Sequence, residues 1–186
     1  MPRPTTTATV HRLEVTLEDV EPPVWRGIEV PSSITLAGLH TVIQQAMGWE
    51  DYHLHQFEIG DTIYGVDDGE GWGPPTVDEN RTRLGEVAPE GTMFSYQYDF
   101  GDSWEHGIKV SQVAEPVAGS TYPRCVAGER ACPPEDCGGA WGYIELLEAL
   151  ADPRHERHEE LLEWVGGSFD PARFDLEDVN TRLGSA

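Results

Sequence analysis

The stretch Tyr96–His106, YQYDFGDSWEH, limits the fold more than any other part of the chain. Phe94, Tyr96, Tyr98 and Phe100 fall at period two, as do Trp104, His106, Ile108 and Val110 after a tight turn at Phe100-Gly101-Asp102-Ser103. Such alternation gives each strand one apolar face, so the segment reads as a β-hairpin that must be covered from one side. Asp99 and Asp102 stand at the shoulders of the turn. His106 shares the side of Trp104 and Ile108, and an ionisable ring there either finds a hydrogen-bond partner in the core or belongs to a site.

The flanking sequence supplies the cover. Residues 1–9 are rich in Pro and Thr and read as disordered. Leu13, Val15 and Leu17 alternate with polar residues, and Val24, Arg26, Ile28 and Val30 do so again after the Pro22-Pro23 connection, which predicts a second hairpin. Leu36, Leu39, His40, Ile43, Ala46 and Met47 lie on one face of a helix that Thr35 or Ser33 can cap and Gly48 can end. A strand over 53–59 then puts His53, His55, Phe57 and Ile59 on one side. Residues 65–80, GVDDGEGWGPPTVDEN, read as a long mobile acidic loop, and 115–139 as a second loop rich in Cys, Pro and Gly. Beyond it, apolar spacing around Tyr143–Leu150 and His158–Val165, and a last segment capped by Asp175, predict a helical C-terminal third. Strands and one helix first, helices later, favour an α+β fold: an antiparallel sheet or roll with an early helix packed on it, as one domain over 10–183.

The charge narrows the partners. Acidic residues number 34 against 12 basic ones, a net charge of −22, and such a surface repels phosphate backbones. Direct nucleic-acid binding is therefore disfavoured. No run of about 18 apolar residues exists, and the first residues carry no apolar stretch of the signal-peptide kind, so a cytoplasmic protein without a membrane span is expected.

Two residue sets could carry chemistry. Cys125, Cys132 and Cys137 lie within one short segment, and an odd number of cysteines points to free thiols or metal ligands, with zinc as the metal that three thiolates and a fourth ligand would suit. Alternatively, His40, His53, His55, Asp99, Asp102 and His106, with Trp104 beside them, could line a pocket whose imidazoles and carboxylates hold Zn²⁺, Mn²⁺ or Fe²⁺ for hydrolysis. Against that stand Asp side chains that serve turn amides and histidines that stay neutral in the core. No Walker loop, dinucleotide-binding glycine motif or Gly-x-Ser-x-Gly elbow occurs.

The segments PPVWRGIEVP, LAGLHTVIQQAMGWEDYHLHQF, YQYDFGDSWEHGIKV and CVAGERACPPEDCGGAWGY, in that order, closely resemble the plasmid pRiA4b ORF-3-like family, some of whose members carry the label of TnpR-like passengers of insertion elements. The resemblance runs from about residue 10 to 183. It implies a single α+β domain associated with plasmids or mobile elements, and it brings no catalytic residues to carry over. The expectation is a non-enzymatic binding or accessory domain with a metal-stabilised Cys loop and a protein partner. The rivals are a metal-dependent hydrolase using the His and Asp pocket, and an acidic nucleic-acid mimic or partner of a DNA-processing protein.

Overall fold

A computed structural model describes residues 8–66 and 75–184. One mixed sheet of eight strands, with five helices, organises them. Strands β1 (Val10–Leu17) and β2 (Val24–Pro31) form the first hairpin, and helix α1 (Leu36–Met47) follows. Then come β3 (His55–Ile59), β4 (Thr62–Gly65), β5 (Thr76–Asp78), the one-turn α2 (Leu84–Val87), β6 (Met93–Tyr98) and β7 (Trp104–Ala114). Strand β8 (Arg124–Glu129) and helices α3 (Gly139–Ala151), α4 (His158–Trp164) and α5 (Leu176–Leu183) complete the chain. The strand order is β5-β4-β3-β6-β7-β1-β2-β8.

The alternation read from the sequence is what buries one face. Leu13, Val15 and Leu17 of β1 are buried between exposed or half-buried neighbours, as are Trp104, His106, Ile108 and Val110 of β7. These rows join Leu36, Leu39, Ile43 and Met47 of α1, Tyr143 and Leu146 of α3, and Val179 and Leu183 of α5 in a single apolar cluster. Helix α1 begins and ends where local chemistry dictates. The Thr35 hydroxyl accepts the Gly38 N–H at 3.1 Å, and Gly48 closes the helix in the left-handed region at φ 93°.

Several sequence expectations need correction. The sheet is not wholly antiparallel, because β5 pairs with β4 in parallel. The expected 65–80 loop begins inside β4, and its last residues form β5 and the buried Glu79; Trp72 and the rest of 67–74 lie outside the described residues, as do 1–7 of the expected disordered start. The 115–139 loop contains β8, which extends the sheet beyond β2. The C-terminal third is therefore not uniformly helical: it opens on an edge strand, and irregular chain separates α3, α4 and α5. Phe100 sits exposed in the turn rather than on the inner row of β6. No helix among the described residues is long and apolar enough to cross a membrane.

A buried arginine ties the edge strand to the helix. Arg26 on β2 donates from Nε to Ala46 O at 3.0 Å, from one terminal nitrogen to Trp25 O and Glu129 O, and from the other to Arg130 O at 2.9 Å. Its guanidinium lies 4.8 Å above the Phe174 ring. A planar fork suits four fixed carbonyls, and an ammonium does not. Arg26→Lys should leave carbonyls unpaired and lower stability by about 2–4 kcal/mol, read from the urea midpoint. An unchanged midpoint would show that the carbonyls find other donors.

Candidate metal centre

Imidazoles and carboxylates from distant parts of the chain converge where β3 begins. In a first group, His40 projects from α1 and places Nε2 2.7 Å from Asp51 Oδ1 and Nδ1 2.8 Å from the Tyr96 hydroxyl. The Gln44 amide is fixed at both ends: its oxygen accepts Asp51 N–H at 3.2 Å, and its nitrogen donates to Tyr96 OH at 2.9 Å. The His55 ring stacks on His40 with centroids 3.4 Å apart and planes within 3°. His55 Nε2 in turn lies 2.9 and 3.1 Å from the two oxygens of Glu79, a buried carboxylate. Ligand atoms of His40, Asp51 and His55 all fall within 4.8 Å of one another.

The hydrogen bonds around His40 allow either tautomer. Tyr96 already accepts from Gln44, and its own proton can go to His40 Nδ1 while Nε2–H faces Asp51. If Nε2 binds a cation instead, Nδ1 carries the proton and the phenol oxygen accepts it, the outer-shell arrangement usual for a metal-bound imidazole. Burial holds the His40 pKa below its ordinary value, helped by the neighbouring His55 and opposed by Asp51, which favours a neutral ring with a lone pair to offer.

A second group surrounds His53, which lies just before β3 rather than inside it. Its Nε2 is 2.9 Å from Asp136 Oδ1, 3.6 Å from Asp99 Oδ2 and 3.9 Å from Glu135 Oε2. The segment between Cys132 and Cys137 thus meets His53 with its acids, not its thiols. Trp49 Nε1 donates to Pro133 O at 2.9 Å, and Glu50 N–H to Glu135 Oε1 at 2.8 Å, which docks that segment on the chain leaving α1.

The other expected site residues are placed elsewhere. Asp102 Oδ2 accepts Gly138 N–H at 3.0 Å and so serves the start of α3. Trp104 packs in the core against Trp49. His106 is fully buried beside Trp49 and Tyr96, with Nδ1 facing the carbonyls of Tyr96 and Trp104, and it belongs to neither group. Among the described residues no thiol joins a group of three ligands. Cys125 is buried on β8 with Sγ toward Ala127 O, and burial pushes all three thiols up, Cys137 to about 12, so they rest as neutral S–H groups. Asp51, Glu79, Glu135 and Asp136 carry no spacing or periodicity signal in the sequence, since each meets its histidine only through the fold. Next to the second group, a cleft of about 450 Å³ between α3 and α4 has Asp136, Leu146, Arg157 and Trp164 in its walls.

Fold and site together define a class: an α+β domain whose sheet end carries two mixed His and carboxylate groups. The chain belongs to the plasmid pRiA4b ORF-3-like protein family, whose profile matches residues 9–178. It is 46% identical over 176 residues to the uncharacterized protein y4hQ of Sinorhizobium fredii, covering 93% of this chain and 90% of that one. The crystal structure of MM3350 from Methanosarcina mazei Go1, a protein of unknown function, superposes with a TM-score of 0.85 at 38% identity, covering 93% of this chain and 98% of that one. Neither name assigns an activity.

His106 sets a pH limit on the fold. Burial lowers its pKa from 6.5 to about 4, so between those values the unfolded chain takes up a proton that the folded core refuses. The stabilisation is complete above pH 6.5 and is lost as the pH falls toward 4, a difference of about 3 kcal/mol. The urea midpoint should drop over that interval. His106→Gln should flatten the drop even if it lowers the midpoint at pH 7, and an equally steep drop would place the titrating group elsewhere.

Proposed function

We propose that this chain is a cytoplasmic, plasmid-associated binding or accessory protein that holds a divalent cation, zinc first among candidates, at His40, Asp51 and His55. The observation that carries this reading is the stacked imidazole pair facing a carboxylate, with the far nitrogen of His40 held by Tyr96. Two imidazoles and a carboxylate suit Zn²⁺, Mn²⁺ or Fe²⁺, and the Glu79 carboxylate holds Nε2 of His55 from outside the group. The reading moves the cation expected at the cysteines to the histidines.

Metal-dependent hydrolysis is the second reading. It is favoured by the Asp51 side chain being 53% exposed, which leaves the group open on that side to water and a small ligand. A cation there would lower the pKa of a bound water and polarise a substrate oxygen. His40 and His55 would hold it, Tyr96 and Gln44 would orient His40, and Asp51 would sit at the mouth.

Elemental analysis of untagged protein purified without chelator tests the reading. One equivalent of metal should be lost in His40→Ala and in Asp51→Asn, the latter keeping a residue that tolerates the left-handed backbone at φ 59°. Cys132→Ser should lose none. Wild-type metal content in both site variants, or loss with Cys132→Ser, would overturn it.

A further inference from the structure

We infer that His53, Asp99, Glu135 and Asp136 form a separate site for a hard divalent cation of the Mn²⁺ type, one that clasps the Cys132–Cys137 segment to the start of β3. The inference stands whether or not the His40 group is loaded. Three carboxylates from two distant segments face one imidazole nitrogen at 2.9, 3.6 and 3.9 Å. No Arg or Lys among the described residues pairs with any of the three. Among the described residues His53 is the only charge partner of these acids, and one imidazolium cannot balance three anions; a divalent cation comes closer.

The aim of the oxygens is the stronger point. Asp99 gives Oδ1 to the Gly101 N–H at 2.9 Å, and Glu135 gives Oε1 to the Glu50 N–H at 2.8 Å and to the Tyr98 hydroxyl at 3.1 Å. One Asp99 oxygen is held by a fixed donor while the other turns toward His53, as ligating carboxylates are held in metal sites; Glu135 Oε2 turns the same way and also takes the Tyr98 hydroxyl at 3.3 Å. Asp99 is only 7% exposed, and its Oδ2 makes no hydrogen bond among the described residues. An oxygen of a nine-tenths-buried carboxylate that has no donor among the described residues and points at other acids is what a cation would satisfy. Asp136 completes the set from the solvent side and also lines the neighbouring cleft, so a bound ion would face that cavity. Three oxygens and one nitrogen favour Mn²⁺ over Ca²⁺, which takes oxygens alone, and over Zn²⁺, which takes a larger share of nitrogen or sulfur.

Terbium tests the site, because Tyr98 touches Glu135 and Trp49 stacks on Tyr98 with centroids 5.1 Å apart, close enough to sensitise a bound Tb³⁺. Titration of the full chain with Tb³⁺ should give saturable emission that Mn²⁺ displaces. Asp99→Asn and Asp136→Asn, which keep residues tolerant of φ 56° and 57°, should each weaken binding at least tenfold, and Asp51→Asn should leave it unchanged. Emission that climbs without saturation, as for ions spread over a surface of net charge −22, would overturn the site. So would equal affinity in both variants, or loss of the signal with Asp51→Asn, which would put the ion in the His40 group.

Discussion

The Tyr96 hydroxyl is the polar contact on which the seating of α1 depends. Tyr96 lies in the middle of β6, paired with Phe57 on one side and His106 on the other, and its ring is wholly buried. A buried phenol oxygen must be paired or the fold loses a kilocalorie or more. It is paired only if His40 and Gln44, one helical turn apart, both face the sheet at the right height. Helix packing and site geometry are therefore one constraint. The rotation that buries Leu36, Leu39 and Ile43 also stacks His40 on His55, and Gln44 passes the constraint on by fixing the backbone of Asp51.

In the first group rigid elements supply the imidazoles and a loop supplies the acid; in the second, His53 and its acids all lie outside strands and helices. His40 and His55 project from α1 and β3, whereas Asp51, Asp99 and Asp136 all adopt the left-handed backbone, at φ 59°, 56° and 57°. Asp accepts that conformation more readily than most residues, because its short side chain can bond to nearby amides. Asp99 does so with Gly101 N–H, which answers the expectation that it serves the turn without removing it from the site: one oxygen caps the turn and the other faces His53.

How much of this was legible follows from how local each cause is. The β1–β2 hairpin, α1 between Thr35 and Gly48, and the Asp175 cap rest on neighbours in sequence, and the structure has them. His40, His53 and His55 stood out because imidazoles on apolar faces are unusual. Their partners did not, since Asp136 meets His53 across 83 residues and Glu79 meets His55 across 24. Strands β5 and β8 were hidden for the same reason: both are short edge strands in Gly- and Pro-rich sequence, and only pairing with β4 and β2 makes them strands. The cysteines join no group of three ligands among the described residues, because nearness in sequence says nothing of direction. Strand β8 takes Cys125 into the core, while the Pro133-Pro134 turn is followed by Glu135 and Asp136, which face His53.

The segment that carries those acids also joins the two halves of the chain. Pro133 O receives the Trp49 indole, Glu135 receives the Glu50 amide, and Gly138, where α3 begins, donates to Asp102 in the β6–β7 turn. The same few residues thus fix the entry to α3, one wall of the α3–α4 cleft and the acidic side of the His53 group. Charge repulsion between Asp99 and the acids Glu135 and Asp136 pushes this segment away from the β6–β7 turn, and the Trp49 indole, the Glu50 amide and the Tyr98 hydroxyl hold it. The seam between the sheet and the C-terminal helices is thus held by a few fixed donors working against like charge.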